Sequence, residues 1–195
     1  MNLTVRPLVG ADLRAAMTDL ARLRISVFSA WPYLYDGELD YETQYLREFL
    51  DAPDSLIVAA YDGDRIVGAA TASPMQAQKK EFRAPFEQCG IDTRLLFYFG
   101  ESVLLPEYRG RGTGHAFFDA REAHAAACGA AATTFAAVVR DDDHPAKPRG
   151  YVPLDGFWAR RGYAPVPGMT TTLAWKELGD DDESPKPLQF WARGL

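Results

Sequence analysis

Phe97-Tyr98-Phe99-Gly100-Glu101-Ser102-Val103-Leu104-Leu105-Pro106-Glu107-Tyr108-Arg109-Gly110-Arg111-Gly112-Thr113-Gly114-His115-Ala116-Phe117-Phe118 is the stretch around which the rest of the chain is ordered. It reads as a strand ended by Pro106, a turn rich in glycine and arginine, and a helix whose first residues lie near Gly112. Such a turn is built for an anion. The free N–H groups at a helix start, with a dipole equivalent to roughly +0.5 charge, cradle phosphates, and glycines let the ligand come close where a Cβ would collide.

Spacing separates the phosphate-binding turns. A Walker loop needs Gly-x-x-x-x-Gly-Lys-Ser/Thr, and the chain has no Gly-Lys pair. A dinucleotide fingerprint needs Gly-x-Gly-x-x-Gly in an early βαβ unit, whereas Gly110, Gly112 and Gly114 alternate in mid-chain. Arg109-x-x-Gly112-x-Gly114 after a strand ending at Pro106 resembles instead the Arg/Gln-x-x-Gly-x-Gly/Ala signature of the GNAT acyltransferases. That family holds the pyrophosphate of acetyl-coenzyme A on this turn. The resemblance implies acetyl-CoA as co-substrate, no metal, and Arg109, Gly110, Arg111, Gly112, Thr113, Gly114 and His115 as its cofactor contacts. His115 reads equally as a plain helix-surface residue, and the whole stretch as a glycine-rich turn with two solvated arginines.

Composition sets the limits around this motif. The length of 195 residues fits one domain, and 47% hydrophobic with 25% charged residues is the balance of an ordinary globular protein. No apolar run reaches the roughly 20 residues of a membrane span, and Met1 to Gly10 lack the apolar core of a signal peptide, so a cytoplasmic location without membrane contact is expected. The net charge of −6 argues against nucleic acid as a partner. Much of it comes from Asp180-Asp181-Asp182-Glu183, which reads as a solvated turn. Cys89 and Cys128 form no disulfide framework, and His124 with Cys128 at i, i+4 lacks the further ligands of a zinc site.

Punctuation orders the elements. Leu3 to Leu8 alternates as a strand; a helix from Asp12 carries Leu13, Met17, Leu20 and Leu23, and a second from Asp40 puts Tyr41, Tyr45, Leu46 and Phe49 on one face. Between them lies the aromatic loop Trp31-Pro32-Tyr33-Leu34-Tyr35. Asp62-Gly63-Asp64 between apolar runs predicts a hairpin. Met75 to Arg94 shows no clean period and reads as an irregular insertion, at about residues 75–95 of a single domain spanning 1–195. Thr133 to Val139 predicts a buried strand, Leu154 to Tyr163 a short helix stopped by Gly162, and Thr170 to Glu177 with Leu188 to Arg193 the closing strands.

The resulting order β-α-α-β-β-(insert)-β-α-β-α-β-β agrees with the GNAT order. The resemblance then implies the fold: an α/β (α+β) domain with a mixed, mostly antiparallel sheet of about seven strands flanked by helices, the fourth and fifth strands splayed to admit the pantetheine arm. A second motif resembles the family's Phe-Tyr-x-x-x-Gly-Phe in Phe157-Trp158-x-x-x-Gly162-Tyr163, where Trp158 stands in place of the tyrosine used as general acid.

By that resemblance the function is N-acetyl transfer from acetyl-CoA to a primary amine of a small molecule or peptide N-terminus. A backbone N–H from Ser102, Val103 or Leu104 would polarise the thioester carbonyl. Glu101, the ionisable side chain of the strand, reads as general base, or as a carboxylate paired with a nearby arginine; strict alternation sets it opposite Tyr98 unless a bulge intervenes. Tyr98 and Tyr151 are further proton-transfer candidates. Trp31, Tyr33 and Tyr35, with Phe82 and Phe86 of the insertion, read as the border of the acceptor pocket, or the aromatic loop as a hydrophobic plug on the sheet. Trp158 favours a second reading, a non-catalytic coenzyme A-binding or regulatory domain. The family likeness leaves a homodimer open.

Overall fold

The computed structural model describes residues 3–195, with Met1 and Asn2 of the expected domain outside it. The strands Leu56–Asp62 (β2) and Arg65–Pro74 (β3) carry runs of buried residues that only strands covered on both faces can hold. Asp62-Gly63-Asp64 joins them, with Gly63 at φ 60° and Asp62 paired to Arg65, as the Asp-Gly signal requires. Thr4–Pro7 (β1), Leu96–Leu104 (β4), Ala132–Val138 (β5), Ala164–Trp175 (β6) and Ser184–Arg193 (β7) complete a 7-stranded sheet of order β1-β2-β3-β4-β5-β7-β6. Only the β4–β5 pair is parallel. This is the mixed, mostly antiparallel α/β sheet that the resemblance implies.

The helices are Gly10–Phe28 (α1), Leu39–Asp51 (α2), Lys80–Gln88 (α3), Thr113–Ala127 (α4) and Asp155–Arg160 (α5). Strand alternation divides the core between them. Ile57 and Ala59 pack with Leu13, Met17, Leu20 and Leu46 of α1 and α2, whereas Val58 and Ala60 pack with Phe117 of α4 on the other face. On α2 the expected apolar face is corrected: Tyr41 is exposed, and the buried residues beside Leu46 and Phe49 include Glu42.

The segment expected to be an irregular insertion contains α3, and Pro85 inside it explains why no clean period is visible. Proline removes the N–H that would bond Glu81 O, and Thr171 Oγ1 of β6 donates to that carbonyl at 2.7 Å instead. The closing strands also start earlier than expected. The N and O of one residue point the same way, and Pro187 O accepts from Val139 N–H, so the missing proline N–H faces the side where β5 has already ended.

Two irregularities of β4 shape the molecule. The β4–β5 ladder holds only Leu96↔Ala132, Phe97↔Thr133 and Tyr98↔Thr134, yet both strands run on, so they part into a wedge. On its other edge, pairing with β3 jumps from Ala70↔Ser102 to Ala72↔Phe99, which sets Thr71 against both Gly100 and Glu101. This bulge inverts the faces of the strand. Phe97 and Phe99 lie in the core under α4, while Val103 packs among α1 and α2. Glu101 therefore shares the face of Tyr98 rather than opposing it.

Candidate functional site

The turn before α4 is held open by glycine. Gly110 and Gly112 have φ 74° and 85°, left-handed values that other residues adopt at a cost, and no side chain caps the helix. The first bond into the helix runs from Ala116 N–H to Gly112 O, so the N–H groups of Thr113, Gly114 and His115 precede any helical acceptor. Arg109 Nε donates to Leu104 O at 3.1 Å and Arg111 Nη2 to Glu107 O at 2.9 Å, bonds that pin both arginines beside the turn. A Cβ on Gly114 would meet Phe157 Cζ at 3.4 Å, so α5 leans directly on the helix start. Arg161 locks that contact by pairing with Asp119 at 2.7 Å and Glu122 at 2.8 Å, and its Nη1 lies 3.2 Å from His115 Nδ1. Open N–H groups, a positive helix end and an arginine at the rim are the chemistry of a diphosphate cradle.

From this turn a cleft of about 1140 Å³ follows the wedge between β4 and β5 to the bulge. Arg109, Gly110, Gly112, Gly114 and His115 line its one end, and Gly100, Glu101, Ser102 and Leu104 its side. Leu105 N–H donates to Val67 O, so along β4 the N–H groups of Leu105 and Val103 face β3, and those of Leu104 and Ser102 face the wedge. Val103 itself is fully buried in the core. The cleft also takes in Trp158 and Tyr151. Trp158 lies against Phe135 at 5.0 Å and Trp191 at 5.2 Å, a wall of the cleft without an acid to offer. Burial raises the Tyr151 pKa, helped by Asp155 and opposed by Arg109 and Lys147, so its hydroxyl stays protonated.

Glu101 is not a free carboxylate. Arg24 of α1 pairs with its Oε1 and with Glu42 of α2, and Tyr45 donates to its Oε2 at 3.2 Å. Burial pulls the Arg24 pKa down, but Glu101, Tyr45 and Glu42 outweigh it and hold the guanidinium protonated. The Tyr45 hydroxyl is pushed up first by burial, then by Glu101. Two carboxylates thus share one buried cation, and Glu101 reaches the cleft with its position fixed by Arg24 and Tyr45.

The aromatic loop splits. Trp31 and Tyr33 line the cleft, whereas Tyr35 turns into a bridge with Glu177 and packs on the core beyond it. Burial, with Glu101 and Tyr151 next, pushes Tyr33 up to about 12, so its phenol is a permanent donor at neutral pH. Arg140 fastens the loop by donating to Pro32 O at 2.7 Å and Tyr33 O at 3.1 Å, with Glu177 as counter-charge at 2.6 Å. The expectation for Phe82 and Phe86 is corrected: both are buried with Phe190 in the core, because α3 turns its apolar face to the sheet. Tyr98 is likewise a core residue, packed on Phe82 at 5.1 Å, and burial raises its pKa, with the Ala136 backbone opposing.

Sequence reading missed Arg24, Glu42, Thr71 and Arg121. The signal was present, since Arg24 follows Met17 and Leu20, and Arg121 follows Phe117 and Phe118, at core-facing helical spacing. A charge inside an apolar stripe needs a buried partner. Among the described residues no three His, Cys, Asp or Glu side chains group as metal ligands, and no helix is long and apolar enough to cross a membrane.

A family model described as acetyltransferase (GNAT) family matches residues 21–149. Comparison with curated proteins finds no match. Among solved structures, the chain is similar to a GCN5-related N-acetyltransferase from Kribbella flavida at 20% identity and TM-score 0.60, covering 99% of this chain and 98% of that one. It is similar to the ribosomal-protein-alanine N-acetyltransferase from Brucella melitensis at 14% identity and TM-score 0.65, with 98% and 99% covered. A third, yncA from Salmonella typhimurium, solved with its cofactor acetyl-CoA, has 11% identity and TM-score 0.60, with 98% and 93% covered. At these identities the likeness is one of fold.

Proposed function

The chain belongs to the acetyltransferase (GNAT) family, and from that premise we propose that it transfers an acetyl group from acetyl-CoA to the primary amine of a small molecule or a peptide N-terminus. The observation that carries this reading is the continuity of one cleft from the open helix start at Gly110 to His115, along the wedge, to the bulge at Glu101 and Ser102. A dinucleotide-like head at one end and a thioester at the other need those two features, at the two ends of a slot.

The residues divide the work. Gly110, Gly112, Gly114 and His115 hold the diphosphate, and Arg109 adds charge at the rim. Thr113 and Arg111 support the turn from behind. Ser102 and Leu104 turn backbone N–H groups toward the wedge, where they stabilise charge building on the thioester oxygen as the C–N bond forms and the C–S bond breaks. Glu101, held in place by Arg24, orients the incoming ammonium and takes its proton, directly or through a water. Trp31 and Tyr33 border the acceptor. Tyr151 is a hydroxyl at the cleft able to return a proton to the leaving thiolate, a role Trp158 has no acid to fill.

Trp158 also favours a second reading, a domain that binds coenzyme A without turnover. Thiol release from acetyl-CoA over a panel of primary amines, read beside a melting-temperature shift, separates the two. Thiol release above the no-amine background supports transfer. A shift without release on any amine supports the binding domain, and neither sinks both.

A further inference from the structure

We infer that Arg121 is a positioning residue that strengthens the thioester's hydrogen-bond donor: its guanidinium draws on the carbonyl of the Glu101–Ser102 peptide, and the N–H of that same peptide faces the cleft. The inference rests on reading the cleft as an acetyl-CoA site.

Arg121 is only 1% exposed, and no carboxylate forms an ion pair with it among the described residues. Its Nη1 donates to Glu101 O at 3.2 Å and to Thr71 O at 3.4 Å, both at the bulge, while its Nε holds Phe117 O of its own helix at 3.2 Å. Phe99 and Phe118 flank it with ring centroids at 4.5 and 4.7 Å. Its Nη2 is buried without a partner. Burial lowers its pKa to about 10, against the raising effect of Tyr163, Glu101 and Glu122, so it remains a cation at neutral pH. Burying such a charge costs free energy, and a methionine or leucine would fill the space between the two phenylalanine rings without that cost. What the cation adds is a field on one particular peptide.

The peptide's geometry gives that field a direction. In a trans peptide the C=O and N–H point opposite ways. The Glu101 carbonyl points between β3 and β4 onto Arg121, so the Ser102 N–H points out into the wedge, as the alternation from Leu105 N–H to Val67 O independently requires. Thr71 fixes the preceding peptide, its Oγ1 accepting Glu101 N–H at 3.2 Å, and so holds Glu101 in register at the bulge. Hydrogen bonds in a chain polarise one another, and a charged donor at the carbonyl end makes the amide proton a better donor at the other. Because Arg121 acts only through the peptide, its loss leaves the contact in place and weakens it.

The test uses acetyl-CoA carrying ¹³C at the acetyl carbonyl. Its carbonyl resonance on binding is compared for wild type, Arg121→Met and Arg121→Lys, alongside kcat and KM. In Arg121→Met the bound resonance should move back toward that of free ligand, and kcat should fall roughly tenfold, less than the ~10²–10³-fold of losing an oxyanion donor outright. KM for acetyl-CoA should stay within about twofold, and Arg121→Lys should recover part of both effects. An unmoved carbonyl resonance in a folded Arg121→Met protein overturns the inference. A wild type that binds no acetyl-CoA overturns the functional reading instead. Should neither variant fold, the wild type decides: the Ser102 amide proton and the Arg121 guanidinium signals should both move with acetyl-CoA but not with coenzyme A, and an unmoved Arg121 signal overturns the inference.

Discussion

Thr171 on β6 donates its hydroxyl to Glu81 O on α3 at 2.7 Å, the carbonyl left without a helical donor by Pro85 four residues on. A helix interrupted by proline is thereby fastened to the sheet through the defect itself. Thr171→Val keeps the shape and removes the donor, and should destabilise the protein by about 1 kcal/mol in urea unfolding. Adding Pro85→Ala restores an N–H that can close the bond within the helix. The double variant should therefore recover most of the loss. Strict additivity of the two substitutions would mean that the hydroxyl is not coupled to the proline.

The helix start makes a sharper prediction. At Gly112, φ 85° puts any other residue in the left-handed region, and an aspartate adds a negative charge where three N–H groups face outward. Gly112→Asp should abolish acetyl-CoA binding in isothermal titration, while any fall in melting temperature should come from the left-handed backbone rather than a clash, since nothing lies within 4 Å of the added Cβ. Retained affinity, or a wild-type preference for NAD or ATP over acetyl-CoA, would sink the cofactor reading.

That turn was legible in the sequence because its signals are local: a proline that ends a strand, glycines at fixed spacing, and a helix that follows at once. The β2–β3 hairpin was legible for the same reason, through Asp62-Gly63-Asp64. The bulge was not, because two residues facing one on another strand leave no pattern in either strand alone. Gly100 is its only trace, since a Cβ there would lie 2.5 Å from Thr71 Oγ1. Arg24, Glu42 and Arg121 escaped because a single charge in an apolar stripe reads as an interruption until its partner on another element is seen. Phe82 and Phe86 were misread with α3, whose period Pro85 obscures.

On the acceptor side, Tyr33 combines two roles that a conservative change can separate. Its ring packs on Phe28 at 4.7 Å and Trp175 at 5.8 Å, and its carbonyl accepts from Arg140 and Trp175, so truncation to alanine would damage the fold. Tyr33→Phe keeps the packing and removes only the hydroxyl that is coupled to Glu101 and Tyr151. It should raise the acceptor KM up to about tenfold, the equivalent of one hydrogen bond, with acetyl-CoA affinity and melting temperature unchanged. An unchanged acceptor KM would leave the loop as a plug on the sheet.

The last prediction concerns the proton. An amine is protonated at neutral pH and cannot attack until it loses that proton, and Glu101 is the carboxylate on the bulge beside the Ser102 N–H. Arg24 pairs with it but also pairs with Glu42, so one cation is divided between two acidic side chains and does not screen Glu101 alone from the ammonium. Glu101→Gln keeps the size and an acceptor oxygen for Tyr45, and Glu42 remains as counter-charge for Arg24, so the variant should fold. General-base help is typically worth ~10²–10⁴-fold, and kcat should fall by about that factor at neutral pH while acetyl-CoA still binds. Raising the pH should restore part of the rate, because more of the acceptor then arrives as free amine. A lower kcat that does not recover with pH would mean that Glu101 orients the ammonium without taking its proton. A near-wild-type kcat across the pH range would make Glu101 a structural partner of Arg24 and pass the proton to Tyr151 or solvent.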